Sequence, residues 1–168
     1  MGTCKEELGG SEYLKEVHSL VKGNSPNLNL ELEKAVQDTT LEAIKKGLIN
    51  SAHDCSEGGL AVALAESCIS NKEKMIGAII DNLSFSARND VILFGESQSR
   101  IILSCLPNSI DKIRDIAKKN KAPFRIIGRT EGENLRILDG KKKLISLSLE
   151  KLSKEWFGSL RRQVDSSY

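Results

Sequence analysis

A chain of 168 residues that is 39% hydrophobic and 29% charged has the composition of a globular protein and the length of one ordinary domain, enough to bury roughly two thirds of the surface its unfolded form exposes. Its formal net charge of +2 is too small to select nucleic acid or an anionic membrane as the main partner. With no charged-then-apolar leader and no run of about twenty apolar residues, the expected location is cytoplasmic, away from the membrane. Cys4, Cys55, Cys68 and Cys105 are widely spaced, with no Cys-x-x-Cys pair and no histidine at metal-ligand spacing. Reduced thiols are therefore expected, with neither a metal site nor a redox motif.

Along the chain, residues 1–10 form a lead-in segment, residues 11–160 a single domain, and residues 161–168 a polar tail. Ser11-Glu12-Tyr13-Leu14 opens a short helix to about Val21, broken by Gly23-Asn24-Ser25-Pro26-Asn27. Leu32, Ala35, Val36, Ala43, Ile44 and Leu48 then recur at helical spacing, which predicts a long amphipathic helix from Leu30 to about Leu48. Met75 to Ile80 is a continuous apolar run with the pattern of a buried strand. Asp90 to Gly95 fits a helical turn or a strand. Arg100 to Leu106 predicts a strand stopped by Pro107, so Glu96, Ser97 and Gln98 stand at its entrance.

Ser109 to Lys119 carries Ile110, Ile113, Ile116 and Ala117 on one face and charges on the other, a surface helix. Phe124 to Gly128 and Leu135 to Leu138 suggest two strands joined around Thr130-Glu131-Gly132-Glu133. Asp139-Gly140 suggests a hairpin turn into Leu144 to Leu147, with Lys141-Lys142-Lys143 as its solvated tip. A last helix is expected from about Leu149 to Leu160. Helices before, between and after mixed strands imply an α+β class: a layered α/β sandwich whose mixed, mostly antiparallel sheet is flanked by helices.

The informative stretch is His53-Asp54-Cys55-Ser56-Glu57-Gly58-Gly59-Leu60, followed by Ala-Val-Ala-Leu-Ala-Glu. It reads as strand, tight turn and helix N-terminus, with the helix starting near Gly58 and its alanines supplying high propensity. Asp54 or Ser56 can cap the first free amides, and Asp54 with Glu57 three residues later resembles a capping box. Gly58 and Gly59 lack a Cβ, so another backbone or an anion can approach amides where the helix dipole is positive. Two readings stay open: a phosphate seat, or a turn that only ends a strand and caps a helix. For Glu96, Ser97 and Gln98 the alternatives are ligand contacts or a hydrogen-bonded strand start.

That stretch resembles the signature of the C-terminal domains of the ATP-using aminoimidazole ribonucleotide synthetase superfamily. Three others are similar to its phosphoribosylformylglycinamidine synthase branch: Leu8-Gly9-Gly10-Ser11-Glu12-Tyr13-Leu14, Leu93-Phe94-Gly95-Glu96-Ser97-Gln98-Ser99-Arg100, and Trp156-Phe157-Gly158-Ser159-Leu160. The resemblance covers nearly the whole chain, with Cys55 and Glu57 standing where the family often has a small apolar residue and an Asp. It implies a parent ligase that makes formylglycinamidine ribonucleotide from formylglycinamide ribonucleotide, ATP and ammonia, using Mg2+. It further implies partners in the parent's N-terminal domains and a glutaminase domain or subunit. This chain alone would hold no cofactor or metal and supply no catalytic residue, and His53, Asp54, Ser56, Gly58, Gly59, Glu96, Ser97 and Gln98 would be its ligand-binding candidates. Another superfamily member, such as aminoimidazole ribonucleotide synthetase or selenophosphate synthetase, and a stand-alone interaction module are the alternatives.

Overall fold

A computed structural model of the chain describes residues 1–83 and 87–165. The chain gathers into two compact units, one of Met1–Ala63 with Phe85–Arg125 and one of Leu64–Ser84 with Ile126–Tyr168.

In the first unit, α1 (Glu12–His18) is capped by Ser11, whose hydroxyl accepts from the Leu14 amide, and ends at Ser19 in the left-handed region. The Asn29 side chain caps α2 (Leu30–Lys45) by accepting from the Leu32 amide at 2.9 Å. Val36 and Ala43 on α2 are fully buried. Thr39 and Thr40 are buried beside them, their hydroxyls donating to the carbonyls of Ala35 and Val36, so neither leaves a polar group unpaired. β1 (Ser51–Asp54) pairs antiparallel with β3 (Ile101–Ser104), His53 opposite Ile102 and Asp54 opposite Ile101. The Asp90–Gly95 stretch, which fits either a helical turn or a strand in sequence, is helical: α4 spans Asn89–Phe94 and ends at Gly95. On α5 (Ile110–Lys119), Ile113, Ile116 and Ala117 are buried. Ala117 joins Val36 and Ala122 in a core against which Leu32, Ala35, Ile101 and Phe124 pack.

α3 (Gly59–Ile69) buries Leu60, Leu64 and Cys68. The second unit carries a four-stranded sheet in the order β4 (Gly128–Thr130), β2 (Ala78–Ile80), β5 (Asn134–Asp139), β6 (Lys142–Ser148). β2 is antiparallel to β4 and parallel to β5, and β5 is antiparallel to β6. With β1–β3 counted, three of the four pairings among the described residues are antiparallel. The class is α+β with a mixed, mostly antiparallel arrangement.

Several elements depart from the sequence expectation. The apolar run from Met75 supplies only three strand residues, and Ile76 is exposed. β4 begins at Gly128, so Phe124 to Ile127 lie outside it. β4 and β5 are not hairpin partners, because β2 lies between them. All three β2 side chains are buried, and a fully buried strand needs a neighbour on each edge to satisfy its amides and carbonyls. Gly77 makes the insertion possible, since a Cβ there would stand 2.6 Å from the carbonyl oxygens of Glu131 and Gly132. Lys142 and Lys143 belong to β6, and the hairpin tip is Gly140 at φ +57°. α6 runs from Leu149 to Asp165, so residues 161–165 continue the helix, and Arg162 pairs with Glu155 at 2.7 Å. The last residues of the expected tail, 166–168, lie outside the described residues. No helix among the described residues is long and apolar enough to cross a membrane.

Ile137 on β5 is fully buried, whereas Leu138 beside it is half-buried. Replacing Ile137 with Ala should cost about 2–5 kcal/mol, a lost side chain plus an unfilled cavity. Urea unfolding of the purified chain measures it, and a loss under about 1 kcal/mol would remove Ile137 from the core.

Candidate functional site

The β1–β3 pair brings the two candidate stretches together. Beyond Asp54 the ladder continues for one more bond, the Cys55 amide donating to the Arg100 carbonyl at 2.9 Å. The turn leaving β1 therefore lies beside the segment entering β3.

The two glycines have different steric reasons. Gly59 sits at φ +64°, and a Cβ on it would stand 2.5 Å from the Gly95 carbonyl oxygen and 2.9 Å from the Phe94 carbonyl carbon. Gly58, at φ +75°, would place a Cβ 2.4 Å from the Val62 side chain. Of the two visitors a Cβ-free turn can admit, backbone or anion, the space at Gly59 is taken by backbone.

Glu96 governs the amides. Its Oε1 accepts from the Gly58 N–H at 2.9 Å and from the Glu12 N–H at 2.9 Å. A carboxylate there gains from charge-assisted bonds and from the positive end of a helix. The Gly59 amide donates to the Ser56 carbonyl at 3.0 Å. The cap expected from Asp54 or Ser56 gives way to this arrangement, because the Ser56 hydroxyl donates to the Asp54 carboxylate instead.

Asp54, whose side chain is exposed, is held below the ordinary carboxylate range chiefly by the Ser56 hydroxyl; burial opposes this, and its own amide and nearby His53 lower it by smaller amounts. His53 is half-buried, its Nδ1 2.7 Å from the Asp54 carbonyl oxygen. Ser97 is almost fully buried and accepts from the Lys5 amide at 3.3 Å. Gln98 is exposed and donates from Nε2 to the Glu96 carbonyl at 3.2 Å. The eight predicted residues are thus neighbours with divided roles: Gly58, Gly59, Glu96 and Ser97 are engaged in internal bonds and packing, while His53, Asp54, Ser56 and Gln98 form the accessible edge.

Sequence reasoning did not single out Arg100. It is buried, donates to the Gly95 carbonyl, and has a buried Nε with no partner. The one available signal was a cation heading an apolar strand. Cys55 and Cys4 lie in its electrostatic reach, yet burial pushes both thiols up, so neither is an activated nucleophile. Among the described residues no three His, Cys, Asp or Glu side chains converge as a metal site. The edge can orient a ligand by hydrogen bonds.

Two measurements test this geometry. Ser56→Ala should raise the Asp54 pKa toward its ordinary value, read by carboxyl NMR titration. A depressed folded pKa gives stability that is present above the unfolded pKa and lost as pH falls through the folded one, so the variant should lose less stability on acidification. An unmoved Asp54 titration would mean that the hydrogen bond is not formed in solution. Gly59→Ala should destabilise more than Gly140→Ala: both must hold positive φ, at about 1–2 kcal/mol, but a Cβ at Gly140 meets nothing within 4 Å. Equal losses in denaturant would remove the backbone contact from the explanation.

Comparison with known proteins gives the chain a family. Residues 1–140 match the family model described as AIR synthase related protein, C-terminal domain. A phosphoribosylformylglycinamidine synthase subunit PurL from Moorella thermoacetica is 45% identical over 160 residues, covering 95% of this chain and 21% of that protein. The chain thus spans about a fifth of the length of the curated relatives it matches. Among solved structures, phosphoribosylformylglycinamidine synthase II from Thermotoga maritima superposes with a TM-score of 0.72 at 20% identity, over 90% of this chain and 24% of that one. PurLQS from the same organism gives 0.66 at 22% identity over 86% and 25%. T. maritima PurL has also been solved complexed with FGAR and with ATP. At these identities the structures speak for the fold alone. The family match over most of the chain and the 45% identity settle the membership: the chain belongs to the family of AIR synthase related protein C-terminal domains.

Proposed function

We propose that this chain serves as the C-terminal part of a phosphoribosylformylglycinamidine synthase, the ATP-dependent ligase that turns formylglycinamide ribonucleotide and ammonia into formylglycinamidine ribonucleotide with release of ADP and phosphate. The observation that carries the reading is the 45% identity to a PurL subunit over 95% of the chain. The complexes of T. maritima PurL with FGAR and ATP support the substrate and nucleotide of such a parent. The PurLQS structure supports its working in an assembly, in which a glutaminase subunit would supply the ammonia.

ATP and Mg2+ would be held by the remainder of the parent. The described residues bring no three metal-ligating side chains together. What this chain would contribute is the accessible edge of His53, Asp54, Ser56 and Gln98, presented to a ligand or to the rest of the parent, on a scaffold fixed by Gly58, Gly59, Glu96 and Ser97. The work of such an edge is orientation, since its carboxylate and hydroxyl can fix the hydroxyl or amide donors of a ribonucleotide. A cytoplasmic location accords with this role.

The test is a chimera in which this chain replaces the matching C-terminal fifth of the Moorella subunit. With FGAR, ATP, Mg2+ and ammonia the chimera should turn over, and this chain by itself should not. A chimera that folds, binds ATP and shows no turnover, or turnover by the isolated chain, would defeat the reading.

A further inference from the structure

The glycine turn has the outward marks of an anion seat: two glycines at positive φ, Gly58 just ahead of α3 and Gly59 opening it, on an eleven-residue helix. Its leading amide is nevertheless filled from within. Glu96 Oε1 lies 2.9 Å from both the Gly58 and the Glu12 nitrogens, so the point where these two N–H groups converge already holds an anionic oxygen. The adjoining Gly59 amide is spent on the Ser56 carbonyl, and the room beside its Cα is occupied by the Gly95 carbonyl.

The surrounding charge acts in the same direction. Asp54 and Glu57 are exposed in the same turn, so an approaching phosphate would meet two further carboxylates, and like charges a few ångströms apart repel even in water. The nearby cation, Arg100, is buried and donates to the Gly95 carbonyl. The segment that carries Glu96 is itself tied down, Gln98 Nε2 donating to the Glu96 carbonyl and the Lys5 amide to the Ser97 hydroxyl. A tethered carboxylate competes at an effective concentration of the order of millimolar or above, whereas a water-exposed phosphate on a helix end gains only about 0.3–1 kcal/mol per dipole contact. The internal group wins that competition.

We propose that Glu96 is the specificity-determining residue of this turn. As a built-in anion it excludes phosphate, leaves the accessible edge to neutral or cationic hydrogen-bond donors, and ties the start of α1 to the start of α3. This goes beyond the proposed function and does not depend on it, because the readout uses this chain alone and no catalytic assay.

The experiment is amide NMR of the chain titrated with inorganic phosphate. In the wild type the Gly58 and Glu12 amides should stay in place through millimolar phosphate. Glu96→Gln keeps an acceptor oxygen without the charge, and should let the Gly58 amide respond to phosphate, though less than Glu96→Ala does; a Gln variant as unresponsive as the wild type would show that the charge is not what excludes phosphate and overturn the proposal. Glu96→Ala should shift both amides in the absence of phosphate and make Gly58 phosphate-responsive. A wild-type Gly58 amide that follows phosphate overturns the proposal with no need of a variant, and so does a folded Glu96→Ala protein whose Gly58 and Glu12 amides match the wild type.

Discussion

The approach of Gly59 to the backbone of residues 93–95 sets the terms for the first unit. At 2.5 Å from an imagined Cβ to the Gly95 carbonyl, any other residue would push α4 and the entrance to β3 away from the turn. Only with that distance closed can Glu96, one residue further on, reach the Gly58 amide. The same carboxylate then fixes the first amide of α1, where Tyr13 stacks on Phe94 with ring centroids 4.9 Å apart. Backbone proximity comes first and the hydrogen bonds follow. A short antiparallel pair, β1–β3, is enough to hold the arrangement because it delivers both strands' neighbouring loops to one place.

Much of this was legible in the sequence wherever period and punctuation agreed. α2 and α5 follow from their apolar stripes, α1 opens at Ser11, and the Asp139-Gly140 turn lies where its dipeptide puts it. The sheet order was not legible. Nothing in Phe124 to Leu138 announces that β2, more than forty residues earlier, enters between β4 and β5, since strand adjacency depends on backbone approach at Gly77, which local pattern does not encode. Hydrophobicity also overestimated β2: Ile76 belongs to the same apolar run as Ile79 and Ile80 but remains exposed.

The site shows the same division. The sequence singled out residues that the fold gathers around one turn, without telling the fixed ones from the accessible ones. A Gly-Gly before a helix fits a phosphate, a crossing backbone or a tethered side chain equally well, and the choice rests on which group the fold delivers. Here it delivers the Gly95 carbonyl and the Glu96 carboxylate. Arg100 illustrates the converse: its burial follows from the ladder bond between Cys55 and Arg100, a long-range pairing that no window of the sequence contains.

The position of β2 also has a meaning in time. Its parallel neighbour pairs Ala78 with Leu135 and its antiparallel neighbour pairs Ile80 with Gly128 and Ala78 with Thr130, so a ribosome must add nearly fifty residues after β2 before either edge can begin to be satisfied. Until then Ala78-Ile79-Ile80 is an uncovered apolar strand with two open edges, the kind of segment that associates with other chains. Closing loops of that length also slows folding relative to the local helices of the first unit. The second unit is therefore where a chaperone, or a slower rate of translation, would do most for the yield of folded protein.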